Sequence, residues 1–243
     1  MTRRRWIADR VRQDRAYLLG PNALHLSRVL RAKAGQKFDV VADGVLRLGT
    51  IVALSAEQVE FQLGPVIASA TLSEISVFLS IFKFDRMEWA LEKLTELGVT
   101  RIQPVIAART EAHLVKAAEK RLERWQRIVH EAAQQSRRLS PPEMGAPVSL
   151  KDIATKTGAL SVQGCRVVLS EYEEQVSLKS AVQQCRAPLA LAFGPEGGWT
   201  REETELLVKN GWMPASLGPT ILRAETAAIA AVAVAMALTV HAD

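Results

Sequence analysis

A chain of 243 residues, 48% hydrophobic and 23% charged, can bury a substantial core as one large domain or two smaller ones, and is too apolar to be disordered. No membrane partner is expected: Asp9 and Arg10 interrupt the amino-terminal apolar residues before a signal peptide could form, and Ala227–Val240 is shorter than a bilayer span and dominated by alanine. Cys165 and Cys185 match no zinc spacing, so the expectation is a cytoplasmic protein with both thiols reduced and no metal.

The net charge of +5 is unevenly placed. The first fifteen positions carry Arg3, Arg4, Arg5, Arg10, Arg12 and Arg15 against Asp9 and Asp14. Such a face attracts nucleic acid by releasing counterions from phosphates, and serves equally as a solvated surface. A helical piece over Asn22–Arg31 is followed by three short runs rich in valine, leucine and phenylalanine: Lys37–Ala42, Val45–Leu54 and Gln58–Leu63. Asp43-Gly44 between the first two is a hairpin turn. These elements predict a small β-barrel or sandwich over residues 1–68, and the change of composition at Gly64–Ser73 marks a domain boundary.

Over residues 73–243 the rhythm becomes strand, helix, strand. Ile75–Phe82 is a continuous apolar run suited to a buried parallel strand. Met87, Leu91, Leu94 and Leu97 share one helical face, and Gly98 ends that helix. Arg101–Ile106 is the next strand, and Ala118–Leu139 a long charged helix stopped by Pro141-Pro142. Arg166–Leu169 and Pro188–Phe193 are further strands; Arg201–Lys209 and Ala224–Val240 are further helices. Alternation of this kind predicts an α/β domain with a mostly parallel sheet.

Two glycine-rich turns carry the chemistry. In Phe193-Gly194-Pro195-Glu196-Gly197-Gly198-Trp199-Thr200 a strand ends, a turn follows and a helix opens, with Thr200 and Glu203 forming a capping box. Ligands of open α/β sheets bind at such carboxyl ends of strands, and glycine lets them approach the backbone. A diphosphate is a poor fit. The order is neither G-x-G-x-x-G nor the Walker pattern, Pro195 lacks an N–H, and Glu196 places negative charge where phosphate would sit. A neutral or cationic ligand suits the turn better. The second segment, Leu217-Gly218-Pro219-Thr220-Ile221-Leu222-Arg223-Ala224-Glu225-Thr226, sets apolar Ile221 and Leu222 in a loop and two charges, Arg223 and Glu225, at the mouth of an alanine-rich helix.

These residues, in this order, resemble the bacterial small-subunit ribosomal RNA uridine-N3 methyltransferases, the RsmE family of the SPOUT class. The resemblance covers nearly the whole chain. It runs through His25 with Val29-Leu30-Arg31 and Gly35; Lys83, Asp85 and Met87; Lys93 and Thr95-Glu96-Leu97-Gly98-Val99; Pro104, Arg109 and Trp125; Gln135 with Arg138; and the two turns above. Gln134, where a glutamate is expected, and Thr220, where a basic residue is expected, depart from the pattern.

The resemblance implies a PUA-like RNA-binding barrel followed by a trefoil-knotted α/β domain that works as a homodimer. It implies S-adenosyl-L-methionine as cofactor, held by Leu169, Glu171, Phe193, Gly194, Glu196, Gly198, Leu217, Gly218, Ile221 and Leu222. The implied substrate is ribosomal RNA of the small subunit. Arg223 is then the candidate to stabilise the negative charge that develops on the uracil. Glu225 is left with several roles: orienting Arg223, accepting the proton, or capping the helix. RNA contacts are expected from Arg3, Arg4, Arg5, Arg28, Arg31 and Arg138. Small residues along Ala224–Ala237 permit close approach of another backbone, from the same chain or a second copy.

Overall fold

The computed structural model describes residues 5–67, 74–155, 164–185 and 188–239. The chain forms two compact units, Met1–Thr71 together with Ala133–Ser140, and Leu72–Ala132 together with Pro141–Asp243. The sequence boundary at Gly64–Ser73 falls partly outside the described residues, as do Arg3 and Arg4. What the sequence does not reveal is that a piece more than sixty positions further on, Ala133–Ser140, belongs with the first unit.

The first unit is a six-stranded sheet in the order β1-β4-β5-β6-β3-β2. Its strands are β1 (Arg5–Ile7), β2 (Arg10–Arg12), β3 (Arg15–Leu19), β4 (Lys37–Ala42), β5 (Val45–Leu54) and β6 (Gln58–Val66). All neighbours are antiparallel except β1 and β4. The arginine-rich start, read as a charged face, is therefore three strands. In β3 burial alternates: Ala16 and Leu18 are buried in the core while Arg15, Tyr17 and Leu19 are half-buried, which is the period of a strand with one covered face. Helix α1 (Gly20–Leu24) runs into a π-helical turn, His25–Val29, where one continuous helix was expected. Leu18, Leu26, Ile51, Val59 and Phe61 fill the core. Ala133 joins Ile7, Val41 and Leu46 in a second cluster, and Arg5 donates to the carbonyl of Arg137. These contacts tie the distant segment to the sheet.

The second unit is built on a parallel sheet in the order β10-β8-β7-β12-β11-β13, with β9 also paired to β8. Its strands are β7 (Ile75–Ser80), β8 (Arg101–Ile106), β9 (Glu143–Met144), β10 (Val148–Ser149), β11 (Cys165–Leu169), β12 (Leu189–Phe193) and β13 (Met213–Ala215). The helices are α2 (Phe84–Leu97), α3 (Ala112–Gln135), α4 (Leu150–Thr155), α5 (Leu178–Gln183), α6 (Arg201–Lys209) and α7 (Ala224–Thr239). The charged helix starts at Ala112 rather than Ala118 and ends four residues before Leu139, where Arg137 turns left-handed at φ 60°.

Strand β12 explains why this sheet is continuous apolar sequence. Leu189, Leu191 and Phe193 belong to the core shared with α2, α5 and α7, whereas Ala190 and Ala192 face the opposite layer with Leu150, Ile153, Leu207 and Trp212. Both faces are covered, so no polar alternation is tolerated. Each fully buried leucine or phenylalanine stabilises the fold by about 1.5–3 kcal/mol relative to exposure.

One expectation is overturned. Cys165 and Cys185 are joined as a disulfide, with Cα atoms 5.5 Å apart. The reason is topological. In a strand–helix unit the helix returns antiparallel to the strand, so the residue after α5 arrives beside the start of β11.

Candidate functional site

The strand order of the second unit doubles back. After β11 the chain goes to β12 on one side, then crosses to β13 on the other. Such a reversal opens a crevice at the carboxyl ends of the strands concerned. Here the three segments leaving β11, β12 and β13 meet the start of α7 around one open cleft of about 780 Å³, counting space open to solvent.

All ten positions expected to hold a ligand line it: Leu169 and Glu171 after β11, Phe193, Gly194, Glu196 and Gly198 after β12, and Leu217, Gly218, Ile221 and Leu222 after β13. The walls also include Ser170, Tyr172, Trp199, Ser216, Ala224 and Ala227, which sequence reasoning did not single out. Tyr172 and the two alanines carry no local signal. Trp199 did carry one, an aromatic directly after paired glycines.

The turn after β12 is held from several directions. Gly198 N–H donates to the Pro195 carbonyl at 2.8 Å. The capping box at the start of α6 is formed as expected: Thr200 Oγ1 accepts the Glu203 N–H at 3.2 Å, and Glu203 Oε2 accepts the Thr200 N–H at 2.9 Å. Glu203 is nearly buried and uses its other oxygen to accept the Ala108 N–H at 2.6 Å. The Trp199 indole N–H donates to the Leu169 carbonyl at 3.1 Å, joining the β11 and β12 segments in a buried bond. Glycine is needed at 198. Its φ is +67°, and a Cβ there would stand 2.9 Å from Glu171 Oε1.

The electrostatics favour a cation or neutral group. Two carboxylates, Glu171 and Glu196, belong to the lining, which contains no lysine or arginine among the described residues. Phe193, Leu169, Leu217, Ile221 and Leu222 supply apolar surface. Ile221 is 83% exposed, the most exposed large hydrophobic side chain among the described residues.

Arg223 and Glu225 flank this cleft without lining it. Arg223 is exposed and its carbonyl accepts the Ala227 N–H at 2.8 Å, so it stands at the helix opening. Glu225 is buried, and its recorded ion-pair partner is Arg86 of α2, with Nε 3.8 Å from Oε1. The Oε2 oxygen has no hydrogen-bond partner among the described residues. Arg86 was not anticipated.

The expected RNA-contacting arginines separate into two groups. Arg28 and Arg31 are exposed, Arg31 with a left-handed φ of 49°. Arg5 is half-buried, and Arg138 is only 7% exposed, with burial pushing its guanidinium down to about 10.

Residues 69–236 match the RNA methyltransferase domain family. The ribosomal RNA small subunit methyltransferase E of Synechocystis sp. is 36% identical over 220 residues, 86% of this chain and 68% of that protein. The protein of the same name from Aquifex aeolicus is 28% identical, covering 86% of this chain and 89% of that one. Among solved structures, the Neisseria gonorrhoeae ribosomal RNA small subunit methyltransferase E bound to S-adenosyl methionine superposes with a TM-score of 0.84 at 27% identity, covering 98% of each chain. A putative methyltransferase from Legionella pneumophila in complex with the same cofactor gives 0.84 at 29% identity, over 98% of this chain and 99% of that one. With sequence, fold and strand-end loops in agreement, the chain belongs to the ribosomal RNA small subunit methyltransferase E family.

Proposed function

We propose that this protein transfers a methyl group from S-adenosyl-L-methionine to N3 of a uridine in small-subunit ribosomal RNA. The observation that carries the reading is the convergence of the three segments after β11, β12 and β13 on one cleft with acidic and apolar walls. The cofactor, when bound, supplies an electrophilic methyl on a cationic sulfur. Glu171 and Glu196 suit that positive charge, and Phe193, Leu169 and Leu217 suit the apolar face of an adenine. Pro195 and Glu196 make the turn a poor phosphate cradle.

At the reacting centre, the uracil N3–H must give up its proton, N3 forms the new bond to carbon, and the carbon–sulfur bond breaks to leave a neutral thioether. Charge spreads to the two flanking uracil carbonyl oxygens as the proton leaves. Arg223, exposed at the loop–helix junction, is our candidate donor to those oxygens, and a preorganised donor of this kind lowers the barrier. Because displacement is in line, much of the rate comes from positioning. The burial of Glu225 beside Arg86 favours, among its possible roles, fixing the opening of α7.

The finer architecture belongs to the same reading: a PUA-like barrel in the first unit, and a trefoil knot where the segment after β13 packs against that after β12. A homodimer is supported by α7, whose outward positions Ala233, Val234 and Ala237 are exposed and apolar. Arg28 and Arg31, with Arg3 and Arg4, serve RNA phosphates, whereas Arg5 and Arg138 brace the first unit. No helix among the described residues is long and apolar enough to cross a membrane; the cytoplasmic location we propose rests on the ribosomal substrate alone.

Mass spectrometry of ribosomal RNA tests the reaction. Cells lacking the protein lose one N3-methyluridine, the wild type restores it, and Arg223→Ala does not, although that variant still binds cofactor. Full restoration by Arg223→Ala removes this arginine from the mechanism. An unaltered modification in the deletion strain removes the substrate assignment.

A further inference from the structure

Arg109 lies behind the glycine-rich turn, outside the cleft. It sits in the short loop after β8, a loop closed on itself by Thr110 N–H to the Ala107 carbonyl at 3.0 Å and Ala107 N–H to Thr110 Oγ1 at 3.1 Å. Arg109 Nη1 donates to the carbonyl of Gly197 and, at 3.3 Å, to that of Trp199. The stem of the side chain lies flat on Gly197: a Cβ there would stand 3.2 Å from Arg109 Cδ and 3.5 Å from its Cβ. The neighbouring Ala108 N–H holds Glu203, so the same loop grips the start of α6 as well.

The two consecutive glycines therefore face opposite ways. Gly197 turns its bare Cα to Arg109, while Gly198 turns towards Glu171 and lines the cleft. The turn is one peptide thick at this point, with a cation on one side and the ligand space on the other. A carbonyl that rotated into the cleft would narrow it and leave the guanidinium without its acceptors.

We propose that Arg109 is a positioning residue for cofactor binding. By holding the Gly197 and Trp199 carbonyls on the rear of the turn, it fixes the front in its ligand-ready shape before the cofactor arrives. The inference rests on the reading that this cleft takes S-adenosylmethionine. Arginine suits the task because its charge is permanent and one guanidinium nitrogen, Nη1, reaches both carbonyls with its two N–H groups while the side-chain stem packs on Gly197. The gain is preorganisation: the ordering cost is met on folding instead of on binding.

Calorimetry with S-adenosylmethionine on wild type, Arg109→Ala and Arg109→Lys decides it, with urea unfolding of each and steady-state kinetics on ribosomal RNA. The expected result is cofactor affinity weakened about ten-fold or more in Arg109→Ala, in line with loss of a charge-assisted pair of hydrogen bonds. Arg109→Lys should fall between. The KM for cofactor should rise while the KM for RNA and kcat at saturating cofactor stay near wild type, the pattern of lost uniform binding. Wild-type affinity in Arg109→Ala overturns the inference. Should Arg109→Ala fail to fold, Arg109→Lys decides alone: folded and weakened supports it, folded and unweakened overturns it. Wild-type binding in the same experiment separates the layers, since its absence sinks the cofactor reading itself.

Discussion

The two loops that face each other across the cleft are built on opposite plans. The turn after β12 is pinned by Arg109 and Glu203 from behind, by Trp199 to the β11 segment, and by its own Pro195–Gly198 bond. The segment after β13 is anchored at its root, where the Ser216 N–H donates to the Val176 carbonyl at 2.9 Å, the Ser216 carbonyl accepts the Leu178 N–H at 2.8 Å and Ser216 Oγ accepts the Gly218 N–H at 3.2 Å, whereas Gly218 through Ile221 beyond it are exposed. A pocket with one rigid wall and one open wall can fix a small molecule on the first and accept a macromolecule past the second. The lesson is that apolar residues in an exposed loop acquire meaning only when the opposite wall is known to be stiff.

The sharpest way to break this contrast is to remove a pin. Trp199→Ala deletes a buried indole and leaves the Leu169 carbonyl without its donor, so stability should fall by about 3–5 kcal/mol, read as a lower urea midpoint at unchanged slope. A loss below 1 kcal/mol would mean the turn is not tied to the β11 segment as described.

Glycine substitutions separate steric from conformational demands. Gly198→Ala forces a Cβ against Glu171 and a side chain into φ +67°, costing about 1–2 kcal/mol from the backbone alone and cofactor affinity besides. Gly218→Ala, at φ +129° with no protein atom within 4 Å of the new Cβ, should strain the backbone without displacing another side chain, and should cost less affinity than Gly198→Ala. Calorimetry on both checks this. Equal losses of affinity would erase the distinction between the walls.

The smallest stability effect is expected at Ile221. Being 83% exposed, its replacement by serine should change unfolding free energy by no more than about 0.5 kcal/mol, while RNA methylation slows. An unfolding change several times larger would show that the side chain packs within the chain.

Much of the rigid wall was legible because its signals are local. An apolar run, paired glycines and a capping box lie within fifteen consecutive residues, Leu189–Glu203, and each part makes its partner expected. Arg109 was visible only as part of the family resemblance; its contact with Gly197 spans 88 positions, and no periodicity reports on that. The same holds for Arg86 beside Glu225, and for Ala133–Ser140, which joins the first unit through tertiary packing. Strands β9, β10 and β13, of two or three residues each, are too short for alternation to register. Those at the amino terminus were hidden by arginines on their outward positions. The paired cysteines follow from a helix returning beside its strand, which spacing alone does not encode.

The claim beneath all of this is that the segments after β11, β12 and β13 together hold a methyl donor. Isothermal titration of the purified, folded protein with S-adenosylmethionine measures it directly. The account predicts saturable binding at one site per chain, weakened by Gly198→Ala; a folded protein that shows no saturable binding heat, released or absorbed, up to millimolar cofactor would contradict it.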